Sequence, residues 1–209
     1  MKKIQFTTIV LAIITGATIM FGGFHYSEAR HNDSSLYRKI RKLDDDAVEK
    51  IANPIMFGVA LDDIQDTFGD PRSGGRTHEG VDIFAPRGAI IASPTEAVVT
   101  KIADKGLGGI QVWTANPGGH SYYYAHMNGV FEDLEVGDEL DAGDIIGFVG
   151  DTGNAQGTSP HLHFGIYTND REVLNPYEMI TKNFSNKKKI SLLEDYIEFL
   201  QDKLRREKR

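Results

Sequence analysis

Four histidines and one aspartate stand in three short stretches of this chain whose spacing suits metal-assisted chemistry. The first stretch is Thr77-His78-Glu79-Gly80-Val81-Asp82-Ile83. A spacing of four would match one helical turn, but Gly80, the upstream Gly74-Gly75 and the Val81/Ile83 alternation predict a loop running into a strand. On that strand Val81 and Ile83 face the core, while Asp82 faces the opposite side, where His78 can fold over to meet it. The second stretch is Pro160-His161-Leu162-His163-Phe164-Gly165-Ile166. Its alternation puts both imidazoles on one face and Leu162, Phe164 and Ile166 on the other. The third is Tyr123-Tyr124-Ala125-His126-Met127, with His126 expected at a strand end.

A hydrolytic zinc site draws three ligands from His and carboxylate, keeps a fourth position open for water, and needs proton-transfer groups beside it. One His-x-x-x-Asp and one His-x-His can supply such a set and leave two histidines over, once His126 is counted. Either motif alone arises by chance; both together in a strand-rich chain are far more specific. Glu79 is set aside as a general base, because position 82 is not a second histidine and the segment does not read as a helix. His25, His31 and His120 lie outside any motif and read as ordinary. Thiolate zinc sites and disulfides are excluded, since the chain has no cysteine.

The elements that must position these residues are short. Residues 89–92, 97–102, 110–114, 122–125 and 144–149 read as strands. Turn signals separate them at Gly106 with Gly108-Gly109, Asn116 to Gly119, Asn128-Gly129, Gly137-Asp138 and Gly143-Asp144. The expected fold is therefore an all-β catalytic domain built on a small antiparallel sheet, with flanking helices. Leu36, Ile40, Leu43, Ala47 and Ile51 make one helical face and predict a connecting helix before Asn53-Pro54. Ile190, Leu193, Ile197, Leu200 and Leu204 predict a C-terminal helix that packs back on the domain. Its heptad seam spans barely two repeats, so self-association through it is the weaker alternative.

At the N-terminus, Lys2 and Lys3 precede an uncharged run from Ile4 to Phe24. It is long enough to match the ~20 apolar residues of a membrane span. Ser27-Glu28-Ala29 offers a cleavage site, so the run is a signal or, by preference, an uncleaved membrane anchor. The expected division is 1–29 signal or anchor, 30–56 helical linker, 57–181 catalytic domain and 182–209 charged C-terminal helix. Net charge is −7, with +4 on residues 182–209 and hence −11 on the rest. Such an acidic body excludes a nucleic-acid partner, which needs a basic face.

From about Phe57 to Tyr177 the chain resembles the lysostaphin/LytM family of zinc metalloendopeptidases. The resemblance rests on Phe68-Gly69, His78 through Asp82 followed by Ala85-Pro86, and Tyr124-Ala125-His126-Met127. It continues through Gly137-Asp138, Ile146-Gly147 to Gly150-x-Thr152-Gly153, and Pro160 to Phe164. It implies that His78, Asp82 and His163 hold Zn2+, and that His161 and His126 are the two catalytic histidines outside the metal. Of these, His161 is the expected base and His126 the oxyanion stabiliser, with the loop 154–159 as one wall of the groove. It further implies a substrate in bacterial peptidoglycan, whose peptide crosslinks or stem peptides are cut when a metal-activated water attacks the amide carbonyl. That substrate requires export to the periplasm or the cell-wall side of the cytoplasmic membrane, either membrane-anchored through the N-terminal segment or secreted.

Some relatives of this kind lose metal ligands and serve as wall-binding modules that activate other hydrolases. All five positions are intact here, which favours the enzyme. Val136-Gly137-Asp138 and Asp144 to Gly147 also resemble lipoyl-carrier hairpins, but Asp133 to Gly165 contains no lysine to modify. The resemblance spans enzymes that cut glycine bridges and enzymes that cut D-alanyl crosslinks.

Overall fold

The computed structural model describes residues 34–207, so the targeting segment expected at 1–29 lies outside the described residues. Among the described residues the α-helices are α1 (Ser34–Ile40), α2 (Pro176–Met179) and α3 (Asn186–Glu207). The strands begin with β1 (Ile51–Ala52), β2 (Pro71–Arg72), β3 (Arg76–Thr77), β4 (Val81–Phe84), β5 (Ile90–Ala92), β6 (Ala97–Asp104) and β7 (Ile110–Ala115). They continue with β8 (Ser121–Val130), β9 (Glu139–Leu140), β10 (Ile145–Val149), β11 (His161–Tyr167), β12 (Val173–Leu174) and β13 (Ile180–Lys182).

Nine of these strands form one sheet, in the order β12-β11-β8-β7-β6-β9, with β4 on β11 and β10 joining β8 to β5. Every pairing within it is antiparallel. Alternation decides what each face does. Val81, Ile83, Leu162, Phe164, Ile166, Tyr122, Tyr124 and Val112 are all within 1% of full burial and fill one core. The intervening residues of β4, β8 and β11 are turned to the other face, where the histidines gather.

One expectation from periodicity and one from turn residues fail. The connecting helix stops at Ile40. Beyond it the Asp44 carboxylate accepts the Asp46 N–H at 3.0 Å, a local turn that competes with helix. The chain then runs as a strap over the sheet. Lys39 Nζ donates to Gly137 O at 2.6 Å, and Gly118 N–H donates to Asp44 O at 2.9 Å. Ile51-Ala52 pairs in parallel with β13, and Ile51 and Ile55 are buried in the core. Of the predicted helical face only Ile51 is buried; Leu36, Ile40 and Leu43 are half-buried and Ala47 is exposed. Asn128-Gly129, read as a turn, lies inside β8, because β10 continues the ladder with Phe148 opposite Gly129.

The C-terminal helix does pack back on the domain, through a neighbouring stripe. Leu192 sits with Met56, Ile90 and Ala92, and Phe199 meets Phe131 at 5.0 Å between ring centroids. Ile190 and Leu204 of the expected seam are 55% exposed. Among the described residues no helix is long and apolar enough to cross a membrane.

Candidate metal centre and catalytic cleft

Strand register brings the distant motifs together. β4 and β11 pair with Asp82 opposite His163 and Ile83 opposite Leu162, so the carboxylate and the second imidazole share the face turned from the core. His78 lies one turn of loop before β4, and Gly80 lets that loop lie against β11. A Cβ at Gly80 would stand 2.5 Å from Phe164 O and 2.9 Å from His163 Cε1. His78, Asp82 and His163 together form a group able to hold a metal ion, each offering one ligand atom.

The distances are short on all three sides. His78 Nε2 lies 2.8 Å from His163 Nδ1 and 3.0 Å from Asp82 Oδ1, and His163 Nδ1 lies 3.1 Å from Asp82 Oδ1. Thr67 decides the chemistry of this triangle. Its carbonyl oxygen can only accept, so the 2.6 Å contact makes His78 Nδ1 the protonated nitrogen. In its neutral tautomer this leaves the His78 Nε2 lone pair turned toward a carboxylate oxygen. Two acceptors facing one another at this depth need a proton or a metal ion between them, and two nitrogens with one oxygen suit a borderline divalent metal. The Thr67 hydroxyl also accepts the Asp82 backbone N–H at 3.0 Å, so one residue orients two prospective ligands.

Arg72 takes the other carboxylate oxygen, with its guanidinium 2.6 Å from Asp82 Oδ2. Burial pushes the Asp82 carboxyl up, but hydrogen bonds to His163 and His78 outweigh it and hold the group far below the ordinary carboxylate range. Burial also lowers His163, against the pull of Asp82, so its neutral form is favoured.

The two remaining histidines stand beside this triangle. The His126 and His161 rings are 5.1 Å apart, and His126 is 5.9 Å from His163. Contrary to the expected strand end, His126 lies within β8 and adopts the left-handed region, φ 60°. It does so where β8 passes from pairing with β11 to pairing with β10, and the bulge aims the ring into the cleft. His126 Nδ1 donates to Thr152 O at 2.9 Å and His161 Nδ1 donates to Ser159 O at 2.8 Å. With Nδ1 carrying the proton, Nε2 is the acceptor in the neutral form of either ring. Burial pushes His126 down to about 4, despite the Thr152 carbonyl.

All five residues line one cleft of about 660 Å³. Arg72, Arg76, Glu79, Tyr123 and Tyr167 line it too, and Asn154, Ala155 and Thr158 form the wall expected from the loop after Gly153. Sequence reasoning missed Thr67 and Arg72, and it gave no hydrogen-bonding role to Thr152 or Ser159, named only as parts of a motif and a wall. Three of these act through backbone carbonyls, which no residue type advertises. Arg72 carried a signal only as a cation close before the first motif.

Residues 76–176 match the model of peptidase family M23. The L-Ala–D-Glu endopeptidase of Bacillus subtilis is 36% identical over 108 residues, 48% of this chain and 33% of that protein. Lysostaphin of Staphylococcus simulans is 38% identical over 96 residues, 43% of this chain and 18% of that protein. The solved structure of Helicobacter pylori Csd3 superposes with a TM-score of 0.51 at 27% identity, covering 75% of this chain and 42% of that one. The chain thus spans a third or less of the two sequence relatives.

Proposed function

We propose that this chain, whose residues 76–176 match the model of peptidase family M23, is a zinc endopeptidase that hydrolyses peptide bonds in bacterial peptidoglycan outside the cytoplasmic membrane. The observation that carries the reading is the convergence of His78 Nε2, Asp82 Oδ1 and His163 Nδ1 within 3.1 Å of one another, with Thr67 fixing the tautomer. Those three residues would hold the metal. When bound, zinc supplies Lewis acidity that polarises a carbonyl oxygen and lowers the pKa of water.

The protein's own groups do the rest. Ser159 O holds the His161 Nδ1–H, leaving Nε2 to take a proton from the attacking water as general base. His126 is held the same way by Thr152 O and is neutral at rest. It donates to the developing oxyanion only once protonated, a state that negative charge beside it favours. Arg72 keeps Asp82 Oδ2 occupied, so Oδ1 alone is turned to the two histidines.

His78→Ala, Asp82→Ala and His163→Ala should each lose zinc, because two remaining ligands make a weak site. Glu79→Gln should keep zinc and most of its activity. The decisive experiment digests purified peptidoglycan of known crosslink chemistry with zinc-loaded protein and reads the fragments by mass spectrometry. A wall-binding activator of other hydrolases would bind the sacculus, release no fragments and need no metal.

A further inference from the structure

We propose that Arg72 and Arg76 form a carboxylate-binding subsite at the lip of the cleft, so that the preferred peptide carries a free carboxylate beside the bond cut. The inference rests on the endopeptidase reading above and adds to it a substrate class. The hairpin β2–β3 pairs Arg72 directly opposite Arg76. Like charges facing each other across a two-stranded ribbon destabilise it, so the arrangement calls for an anion between them. Arg72 is partly satisfied by Asp82. Among the described residues the Arg76 side chain has one hydrogen bond, Nε to Ser73 O at 3.2 Å, and no ion pair.

Glu79 is the acid nearest in sequence that could neutralise Arg76. Its carboxylate instead meets the Tyr167 hydroxyl at 3.5 Å, further along the cleft. Both arginines line the same cleft as His126, His161 and His163. The hairpin loop holds them there: Gly74 and Gly75 adopt φ of 78° and 74°, and a Cβ on either would touch nothing within 4 Å. These glycines serve the turn's conformation and not its packing. Guanidinium groups present forks of N–H donors that match a planar carboxylate, and carboxylates are the anions that a peptide substrate brings.

The test uses full-length protein and one scissile peptide in three forms: all carboxylates free, the C-terminal carboxylate amidated, and the side-chain carboxylate amidated. Amidating the recognised group should raise KM ~10- to 100-fold, the range for one or two charge-assisted hydrogen bonds. Arg76→Gln should raise KM for the free form to that of the sensitive amide, with the loss on KM rather than kcat, and Arg76→Lys should recover part of it. Arg72 is left alone because it touches a prospective metal ligand. Equal KM for all three forms with the wild type would overturn the subsite, as would an Arg76→Gln loss of equal size on the amides. Calorimetric binding of the same peptides to zinc-free protein separates the two readings. Carboxylate-dependent binding without cleavage by the zinc-loaded protein would sustain the subsite and sink the endopeptidase.

Discussion

Substituting Gly80 by alanine should disable the metal centre without removing any ligand. The new Cβ would lie 2.5 Å from Phe164 O, a distance real Cβ atoms do not reach, and must withdraw by 0.5 Å or more to reach even 3.0 Å. Neither side can yield freely. Phe164 belongs to β11, clamped between β4 and β8, and the His163 ring atoms Cε1 and Nε2 stand 2.9 and 3.0 Å from the same Cβ. The displacement therefore falls on His163 or on the His78–Asp82 loop. Functional constellations tolerate ~0.5 Å, and a 1 Å error costs on the order of 100-fold in rate. We expect zinc affinity to fall at least ~10-fold, turnover ~100-fold, and stability ~1–3 kcal/mol as for other overpacked sites. Zinc titration against a competing chelator, turnover on the released crosslink peptide and thermal unfolding read the three effects. Gly74→Ala is the control: its strain is conformational, so it should lose ~1 kcal/mol of stability and keep its zinc. Wild-type zinc affinity and turnover in Gly80→Ala would refute the steric reasoning.

Other outcomes follow from the same geometry. His161→Ala should keep near-stoichiometric zinc and lose ~100-fold or more in turnover. His126→Asn, chosen because asparagine tolerates the left-handed backbone, should lose ~100- to 1000-fold with zinc retained. The double variant should lose less than the product of the single losses if the rings act on one step; loss of metal in His161→Ala with retention in His163→Ala would reverse their assignment. Thr67→Val leaves the Asp82 N–H without its acceptor, so we expect ~1–3 kcal/mol of destabilisation and weaker zinc binding, checked by denaturation and metal titration. Because the folded pKa of His126 lies at about 4 against 6.5 for the free group, its contribution to stability is complete above about 6.5 and is lost as pH falls toward 4. In zinc-free protein, His126→Asn should flatten that acid limb by up to ~3 kcal/mol; identical pH profiles would contradict it.

The parts of this architecture that follow strict alternation were legible in the residues. The alternation of Leu162, Phe164 and Ile166 with His161 and His163 marks one sheet face and its opposite. What alternation cannot report is which strand a residue meets, so the pairing of Asp82 with His163 and the passage of β8 from β11 to β10 emerge only in three dimensions. Asn128-Gly129 misled for that reason: good turn residues were held in a ladder by β10. The strap misled differently. Leu43, Ala47 and Ile51 have helical spacing, but tertiary contacts override a propensity worth only a few tenths of a kcal/mol per residue. On α3 the apolar residues are numerous enough to draw two stripes, and the aromatic pockets around Phe131 and Phe148 select the one carrying Tyr196 and Phe199.

The parallel pairing of β1 with β13 joins the beginning and the end of the sheet domain by Ile51 opposite Ile180 and by the Asn53 N–H donated to Lys182 O at 2.8 Å. In a parallel pair, the leading end of one strand and the trailing end of the other lie at opposite ends of the seam. Tension drawn through the two chain ends, once the strap and α3 have peeled, therefore loads these bonds together in shear instead of opening them one at a time. Under load the protein would then yield first at its flanking segments, while the sheet bearing His78, Asp82 and His163 keeps its shape. Pulling from Ser34 and Glu207 should accordingly show an early low-force extension from the flanks and a separate, higher-force rupture of the sheet.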